Sequence, residues 1–237
     1  MSIAENYQNI EHEMKRAILH FYCADKVSDI PDYAGLVDAG GALKLPQIIA
    51  VSKQQSGARI DEALAAGLRH FGENKVQEAQ KHWAERKAKH DDLVLHLIGP
   101  LQSNKVKDAV ALFDVIHSVD REKIARVLKA EMDAQGRQLP CYIQVNIGEE
   151  EQKSGVLPHE LDDFLAFCRN DLSLDIKGLM CIPPVDEPAG IYFSLLKKMA
   201  DAHVGLALSM GMSSDYAEAT LCGADFVRIG TALLGER

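Results

Sequence analysis

Lys53 is the residue whose position in the sequence most directly suggests chemistry. It follows the apolar run Gln47–Ser52, which has the composition of a buried strand. At the end of such a strand the amine would enter a crowded cleft, where burial lowers the pKa of a lysine and frees it as a nucleophile. A solvated lysine at a strand end is the alternative, so Lys53 needs further residues around it before a function follows.

Two glycine-bearing segments near the other end of the sequence supply a partner for that lysine. They are Ser209–Ser213 (SMGMS) and Arg228–Thr231 (RIGT), and each follows a short apolar run. Loops of this kind, with free backbone N–H groups, bind phosphate after the last two strands of α/β barrels. Ser213 could instead cap a helix, and Gly230 could only turn the chain. Both loops, taken together with the lysine, favour a phosphorylated ligand.

Arg228 bears on which phosphorylated ligand this is. A lysine and a phosphate site fit either a Schiff base with a phosphorylated sugar, as in an aldolase, or a bound pyridoxal 5′-phosphate (PLP). The pyridine nitrogen of PLP needs a protein partner, usually Asp or Arg. An arginine can only donate, so it would keep that nitrogen unprotonated and weaken the ring as an electron sink. The competing interpretation of Arg228 is a salt bridge to Asp225.

Alternating strand and helix patterns predict the scaffold. From Pro46 onward, eight short apolar runs alternate with helical stretches, which is the pattern of parallel βαβ units. We expect a small (β/α)8 TIM barrel, with an open doubly wound sheet as the alternative; both place ligands at the carboxyl ends of the strands. The runs are 47–52, 69–72, 93–98, 115–119, 141–147, 176–180, 206–209 and 225–229.

An additional helix is predicted before the first strand. Apolar residues recur at steps of three and four from Ile3 to Phe21, and Ser2 followed by Glu5 fits a capping box. Residues 24–45 are rich in glycine and proline and predict a loop with at most a short helix. We therefore expect one domain over 1–237, with the N-terminal helix and loop in 1–45 and the barrel in 46–237.

Composition excludes several classes of protein. The 237 residues carry 26 basic and 35 acidic side chains, a net charge of −9 without a basic cluster, which argues against nucleic acid as a partner. Neither a membrane span nor a signal peptide is evident. The 5 cysteines are scattered and never form a C-x-x-C pair, so we expect reduced thiols, no metal site and a cytoplasmic protein.

Seven strings of residues, in collinear order over about 47–237, resemble one known family. They are AVSK at 50–53, FGEN at 71–74, HLIGPLQSNK at 96–105, VNIGEEEQKSG at 145–155, GLMCIP at 178–183, LSMGMSSD at 208–215 and VRIGTALLG at 227–235. The chain is similar in these strings to the YggS/PROSC family of pyridoxal phosphate homeostasis proteins. It departs from them in segment 24–45, which is longer and richer in glycine than the usual link before the first strand.

The resemblance implies a fold, a cofactor and a set of binding residues. The fold is a barrel similar to the N-terminal domain of alanine racemase, and the cofactor is PLP held as an internal aldimine on Lys53. Phosphate would be held at Met212–Ser213 and Gly230–Thr231, with Arg228 near the pyridine nitrogen. The complete predicted cofactor-binding set is Lys53, Asn74, Ser209, Met212, Ser213, Arg228, Gly230 and Thr231. Asn74 is expected either near the cofactor ring or as a cap of the following helix.

The same residues favour a carrier over an enzyme. Racemisation needs an acid and a base on opposite faces of the cofactor, and alanine racemase takes its second base from an added β-domain. Here the sequence runs only to Arg237, and none of its 6 tyrosines falls at a predicted strand end. We expect a monomeric, non-enzymatic PLP carrier and regulator with apo PLP-enzymes as candidate recipients; a weak PLP-dependent amino-acid racemase is the alternative.

Other polar residues have less specific interpretations. His96 and His117 fall inside predicted strands, and we expect buried histidines that hydrogen-bond to the backbone. Lys105 and Lys153 fall on the predicted ligand face of the barrel, where they either form a basic rim that attracts phosphate or are solvated surface charges.

Overall fold

Eight parallel strands close into a barrel in the computed structural model, which describes residues 1–30, 37 and 41–236. Each strand pairs with the next, and β8 returns to pair with β1, with Ile49 opposite Arg228. This closure confirms the predicted barrel and excludes the open doubly wound sheet. The strands are β1 (Gln47–Val51), β2 (His70–Glu73), β3 (Val94–Leu97), β4 (Val115–Val119), β5 (Cys141–Val145), β6 (Ile176–Cys181), β7 (Ala207–Ser209) and β8 (Phe226–Ile229).

Helices cover the outside of the barrel between the strands. Those on the described part of the chain are α1 (Ile3–Phe21), α2 (Gly57–Ala65), α3 (Val76–Lys87), α4 (Val106–Leu112), α5 (Glu122–Gln135), α6 (Leu161–Ala166), α7 (Ala189–Asp201), α8 (Tyr216–Leu221) and α9 (Thr231–Leu234). A π-helical turn, Phe167–Asp171, continues α6. Within the described ranges, none of the helices is both long and apolar enough to cross a bilayer.

Local sequence explains how these elements form and end. All five residues of β4 and of β5 are buried, as expected for strands enclosed by side chains on both faces. Helix α5 buries Ile124, Leu128 and Met132 along one face and ends at Gly136, whose φ of 64° is the left-handed conformation that glycine adopts without strain. Alternating strands and amphipathic helices therefore enclose one large apolar cluster, with two smaller clusters beside it among the described residues.

Helix α1 packs against the last two helices and covers them. Its N-terminus has the predicted capping box, in which the Ser2 hydroxyl accepts from the N–H of Glu5 and the Glu5 carboxylate accepts from the N–H of Ser2. Asn6 donates from Nδ2 to the carbonyl of Leu233 over 3.0 Å, which ties α1 to α9. Both α8 and α9 are short, so this cover shields elements that carry little helical stability of their own.

Part of the predicted loop after α1 is described. Val27–Asp29 forms a 3₁₀ turn, which agrees with the prediction of at most a short helix, and Val37 forms an isolated antiparallel bridge with Leu43. The remainder of the loop prediction, for residues 31–36 and 38–40, lies outside the described residues.

The interior of the barrel contains rings as well as aliphatic side chains. Tyr142 on β5 and Phe226 on β8 face each other edge to face, with ring centroids 6.0 Å apart. Strand β6 approaches closely at Gly178, where a Cβ would lie 2.1 Å from the carbonyl oxygen of Ala207 and 2.4 Å from the Tyr142 ring. Glycine at position 178 leaves room for the Tyr142 ring to lie against β6.

Candidate functional site

A cavity of about 310 Å³ opens at the carboxyl ends of the strands, within the size range of small-molecule sites. It brings together seven of the eight predicted binding residues, from both ends of the sequence. The lining residues are Val51, Lys53, Asn74, Ile98, Ile182, Met212, Ser213, Ser214, Arg228, Gly230 and Thr231. Their assembly depends on the pairing of β8 with β1, because that pairing places Arg228 beside the strand that leads to Lys53.

The backbone on both sides of Lys53 is held by hydrogen bonds to neighbouring segments of the protein. The N–H of Ser52 donates to the carbonyl of Gly72 over 3.0 Å, and the Ser52 hydroxyl donates to Oε1 of Glu73 over 2.7 Å. Gln54, on the other side, has a φ of 58° and donates its N–H to the Glu78 carboxylate. A non-glycine residue in this left-handed region is uncommon, and here it turns the chain directly after the lysine.

Asn74 is positioned at the cavity by the end of β2. The N-cap residue of α3 is Lys75, and no side chain caps that helix, so the interpretation of Asn74 as a helix cap is wrong. The following loop approaches closely, because a Cβ on Gly99 would lie only 2.3 Å from the Asn74 carbonyl oxygen. Glycine at position 99 thereby allows Asn74 to be enclosed between β2 and β3.

The loop after β7 turns sharply and presents backbone donors to the cavity. Gly211 has a φ of 90°, and a Cβ there would lie 2.5 Å from Cβ of Ala219. The N–H of Met212 donates to Oδ1 of Asp215 over 2.6 Å, so the prediction that Met212 offers this N–H to a phosphate needs correction. Among described residues, none accepts a hydrogen bond from the N–H groups of Ser213 or Ser214. These two groups, rather than that of Met212, are the available donors of the loop.

The loop after β8 contributes Gly230 and Thr231, the latter being the first residue of α9. The first N–H groups of a helix have no acceptor within it. The backbone of Gly230 has no left-handed φ, and a Cβ built on it would meet only Val51, at 3.6 Å. Packing within the protein therefore does not require glycine at position 230, which leaves the cavity itself as the reason for a small residue there.

Arg228 is a buried cation in the cavity wall, with only 4% of its surface exposed. It donates from Nη1 to Oγ of Ser209 over 2.9 Å and from Nη2 to the carbonyl of Cys181 over 2.8 Å; Nε takes part in neither bond. Burial lowers the pKa of this guanidinium from its ordinary value. The alternative of a salt bridge to Asp225 is wrong: the Asp225 carboxylate accepts from the N–H of Leu208 and lies 3.8 Å from Nζ of Lys44.

Ser209 lies deeper than predicted. It is fully buried and does not line the cavity; its hydroxyl oxygen instead meets Nη1 of Arg228 and, at 3.0 Å, Nδ1 of His117. The prediction of Ser209 as a cofactor contact is corrected by this position, because Arg228 stands between it and the cavity. The sequence places Ser209 at the end of β7 but does not show which side chain covers it.

The prediction that His96 and His117 bond to the backbone is also wrong. Nδ1 of His96 lies 2.9 Å from Nε2 of His117, and Nε2 of His96 lies 3.0 Å from Nδ1 of His70. Burial is the main cause that lowers the pKa of His96 to about 3 and that of His117 well below its ordinary value. Both rings are therefore neutral near pH 7.

Glu73 is a buried carboxylate that the sequence analysis did not single out. Its Oε1 accepts from the Ser52 hydroxyl, from Nε1 of Trp83 at 3.0 Å and from Nδ1 of His82 at 2.9 Å. Glu78 lies close by, and one ligand atom from each of Glu73, Glu78 and His82 falls within 4.8 Å of the others. Oε1 thus has three hydrogen-bond partners, whereas the equally buried Oε2 has none among the described residues.

Lys105 and Lys153 do not form the basic rim that was one of their two predicted roles. Lys153 forms an ion pair with Glu150 and donates to the carbonyl of Pro183 over 3.0 Å, and neither Lys153 nor Lys105 lines the cavity. The lining residues that sequence reasoning missed are Val51, Ile98, Ile182 and Ser214. The two isoleucines each follow a strand directly, which is the signal that could have revealed them as apolar walls.

Comparison with known proteins defines the class. Residues 41–237 match the family model described as "Alanine racemase, N-terminal domain". The structure is also similar to alanine racemase from Bartonella henselae, with a TM-score of 0.66 at 13% identity over 99% of this chain and 60% of that one, a likeness of fold. The fold and site thus define a barrel of the alanine racemase N-terminal type.

Closer relatives define the family. The chain is 44% identical over 197 residues to the pyridoxal phosphate homeostasis protein of Pseudomonas aeruginosa, covering 80% of this chain and 84% of that protein. It is 34% identical to PipY of Synechococcus elongatus, whose structure was solved with PLP bound, with a TM-score of 0.76 over 99% of this chain and 100% of that one. The chain belongs to the pyridoxal phosphate homeostasis protein family.

Proposed function

We propose that this protein binds PLP in the cavity at the carboxyl ends of its strands and serves as a non-enzymatic PLP carrier. The observation that carries the proposal is the meeting of Lys53, Arg228 and two glycine-bearing loops around one cavity. The PLP in the structure of PipY supports it, since that protein shares this fold over the whole length of both chains.

The cavity residues fit the parts of PLP. Arg228 is buried, has no carboxylate within salt-bridge distance among described residues, and keeps Nε outside its two hydrogen bonds, so it suits a neutral pyridine nitrogen. Ile98 and Ile182 provide apolar surface for a ring, and the N–H groups of Ser213, Ser214 and the α9 start suit a phosphate dianion. Gly230 and Thr231 complete the phosphate end, and Met212 contributes only its place in the cavity wall.

Lys53 supplies the covalent attachment in this proposal. Its amine attacks the aldehyde carbon of PLP, a carbon–nitrogen double bond forms, and the aldehyde oxygen leaves as water. Asn74 and Lys53 both line the cavity on the side of β1 and β2. We therefore assign Asn74 to the ring edge near that bond and the loops after β7 and β8 to the opposite, phosphate end.

The composition of the cavity wall supports a carrier rather than a racemase. Along the described chain, the lining contains no histidine, tyrosine, cysteine or carboxylate, so Lys53 is the one lining side chain suited to move a proton. Tyr142 lies in the barrel interior against His117, and the Tyr216 hydroxyl is bonded to Glu13. A second base on the opposite face of the ligand is thus missing from the wall.

Release to apo PLP-enzymes and a monomeric state complete the proposed role. The five cysteines are unpaired, which fits reduced thiols and a cytoplasmic location. Burial raises the pKa of Cys168 and Cys181 to about 12, so both thiols stay protonated near pH 7. In this proposal the barrel, with α1 as its cover, acts as a single PLP-binding domain.

Spectroscopy of the purified protein mixed with PLP tests the proposal. We expect a new absorbance band at about 420 nm. Reduction with borohydride should remove this band and leave the pyridoxyl group attached to the peptide that contains Lys53. An unchanged spectrum of free PLP overturns it. Proton exchange at the α-carbon across the amino acids is then measured: no exchange supports the carrier, and rapid exchange with any amino acid would establish an enzyme.

A further inference from the structure

A chain of hydrogen bonds crosses the inside of the barrel and ends at Arg228. From the cavity inward it runs from Arg228 to Ser209, His117, His96 and His70, with donor–acceptor distances of 2.9, 3.0, 2.9 and 3.0 Å. His117 is on β4 and Ser209 on β7, which are not neighbours in the sheet, so this bond must cross the barrel interior. The chain joins the cavity wall to the opposite mouth of the barrel.

The far end of the chain is open to a groove. His70 is the first residue of β2, is half-buried, and lines a groove at the amino-terminal ends of the strands together with Tyr7, Gln47 and Arg69. Its outer nitrogen, Nε2, takes part in no hydrogen bond with the described residues. Water in that groove can therefore serve either as donor or as acceptor to His70.

The rings of the chain are fixed in place by aromatic contacts. His117 stacks on Tyr142 with centroids 4.4 Å apart and planes 2° from parallel, and Phe226 meets its edge at 5.9 Å. His96 also packs on Phe226, at 5.7 Å. Since the rings cannot turn freely, the direction of the hydrogen bonds can change only when a proton moves from one ring nitrogen to the other.

The number of donors on each group determines the direction of the hydrogen bonds. A neutral imidazole has one donor and one acceptor nitrogen, so all bonds must run one way or all the other. If the Ser209 hydroxyl donates to Nδ1 of His117, then His117 and His96 each donate from Nε2, and every buried group is satisfied. In the reverse direction Ser209 accepts from both Arg228 and His117, and no other described residue is within bonding distance of its hydroxyl proton. An unpaired buried donor is costly, which selects the first direction.

We propose that Ser209, His117, His96 and His70 form a directional relay that positions Arg228, so that the ring of His70 at one mouth of the barrel is coupled to the ligand cavity at the other. Ser209 and His117 are positioning residues that act through Arg228. His70 completes the relay by accepting from Nε2 of His96. The coupling to a ligand rests on the proposed PLP function, whereas the direction of the relay is a property of the protein without ligand.

Nitrogen-15 NMR of the histidine rings, recorded first without PLP, tests the direction. The expected result is that His96 and His117 both carry their proton on Nε2, with Nδ1 unprotonated. Either ring found with its proton on Nδ1 overturns the proposal. This measurement needs no substitution and does not depend on whether PLP binds.

Substitution of His70 tests the coupling. In His70→Leu the acceptor is lost, so we expect shifted His117 ring resonances and a PLP dissociation constant raised about 2- to 10-fold, the range of one neutral hydrogen bond. His70→Gln restores an acceptor and should return both readouts toward the wild type. The matched control is His90→Leu, a half-buried histidine outside the relay.

The outcomes separate the two proposals. Unchanged His117 resonances and PLP affinity in His70→Leu overturn the relay while wild-type PLP binding stands. Failure of His70→Gln to recover either readout also overturns it, because the effect would then come from lost packing. Absence of PLP binding by the wild type overturns the proposed function and leaves the NMR result to decide the relay.

Discussion

The guanidinium of Arg228 donates to the hydroxyl of Ser209 over 2.9 Å, so an arginine in the cavity wall is oriented from inside the barrel by a serine outside the cavity. Its second bond, from Nη2 to the carbonyl of Cys181, fixes the plane of the guanidinium. Two bonds on the same planar group leave it little freedom to rotate. The cavity thus has a preformed, directed donor before any ligand enters.

Lys53→Ala should abolish the absorbance band at about 420 nm while the protein remains folded, because the side chain stands beyond the end of β1. Absorbance after addition of PLP, with circular dichroism of the same sample, makes the measurement. Lys105→Ala, which alters a lysine outside the cavity, is the matched control and should keep the band. A band that survives in Lys53→Ala would assign the covalent bond to another lysine.

Arg228→Ala should weaken PLP binding by about 1.5–3 kcal/mol, the contribution of a hydrogen bond that involves a charged group. The unfolding free energy should fall as well, since Ser209 and the Cys181 carbonyl lose a buried donor. Asp225→Asn is the control, because Asp225 is hydrogen-bonded to Leu208 rather than to Arg228. Equal affinities of Arg228→Ala and the wild type would contradict the assignment of the pyridine partner.

Pyridoxal, which lacks the phosphate, should bind far more weakly than PLP, because the loops after β7 and β8 offer backbone N–H groups to a dianion. Ser213→Ala should cost no more than about 0.5–1.5 kcal/mol in PLP affinity, since the backbone donor survives and only a hydroxyl is lost. Fluorescence or absorbance titration with both ligands measures this. Similar affinities for pyridoxal and PLP would contradict the phosphate site.

Gly230→Val should reduce PLP affinity more strongly than Ser213→Ala. The first carbon of the new side chain has room beside Val51, at 3.6 Å, so Gly230→Ala should keep the unfolding free energy near that of the wild type. The branched chain of valine extends into the cavity, where it competes with the ligand. Denaturant unfolding of Gly230→Val separates the loss of stability from the loss of PLP affinity. If its unfolding free energy fell as much as its binding free energy, Gly230 would be assigned to packing alone.

Acid should destabilise the protein through its buried histidines. Burial lowers the pKa of His96 to about 3 and that of His117 well below 6.5, so below about pH 6.5 the unfolded chain binds protons that the folded chain does not. The unfolding free energy should therefore fall as pH falls below about 6.5, with a slope that steepens to at most roughly 1 kcal/mol per pH unit for each histidine. Urea unfolding at pH 7, 6 and 5 measures the slope, and a flat profile would contradict neutral histidines in the relay.

The sequence predicted the barrel and most of the cavity because both follow from local pattern. Each of the eight strands lies within two residues of its predicted limits, and the rule that ligands bind at carboxyl strand ends located Lys53, Asn74 and Arg228. The bounds of the short helices α4 and α9 could not be read from the sequence. Elements of this length are stabilised by packing, as α9 is by α1, and carry too few residues to show a period.

Depth inside the barrel could not be predicted from the sequence. Alternation shows that His96, His117 and Ser209 share an inward face or an outward one, but the tilt and closure of the strands decide which of them meet across the interior. The same limitation applies to Met212, whose N–H is taken by a carboxylate three residues later. Side-chain competition of this kind depends on loop geometry that residue types alone do not specify.

The pairing of β8 with β1 has a consequence for the protein during its synthesis. Ile49 and Arg228 are partners in the sheet although about three quarters of the sequence separates them. A nascent chain on the ribosome carries Lys53 long before it carries Arg228 and the loop at Gly230, which follow about 175 residues later. Contacts so distant in sequence also form late in folding. The cavity thus cannot form before Arg228 and Gly230 have been translated, so a nascent chain that carries Lys53 without them lacks the site proposed to hold a reactive aldehyde.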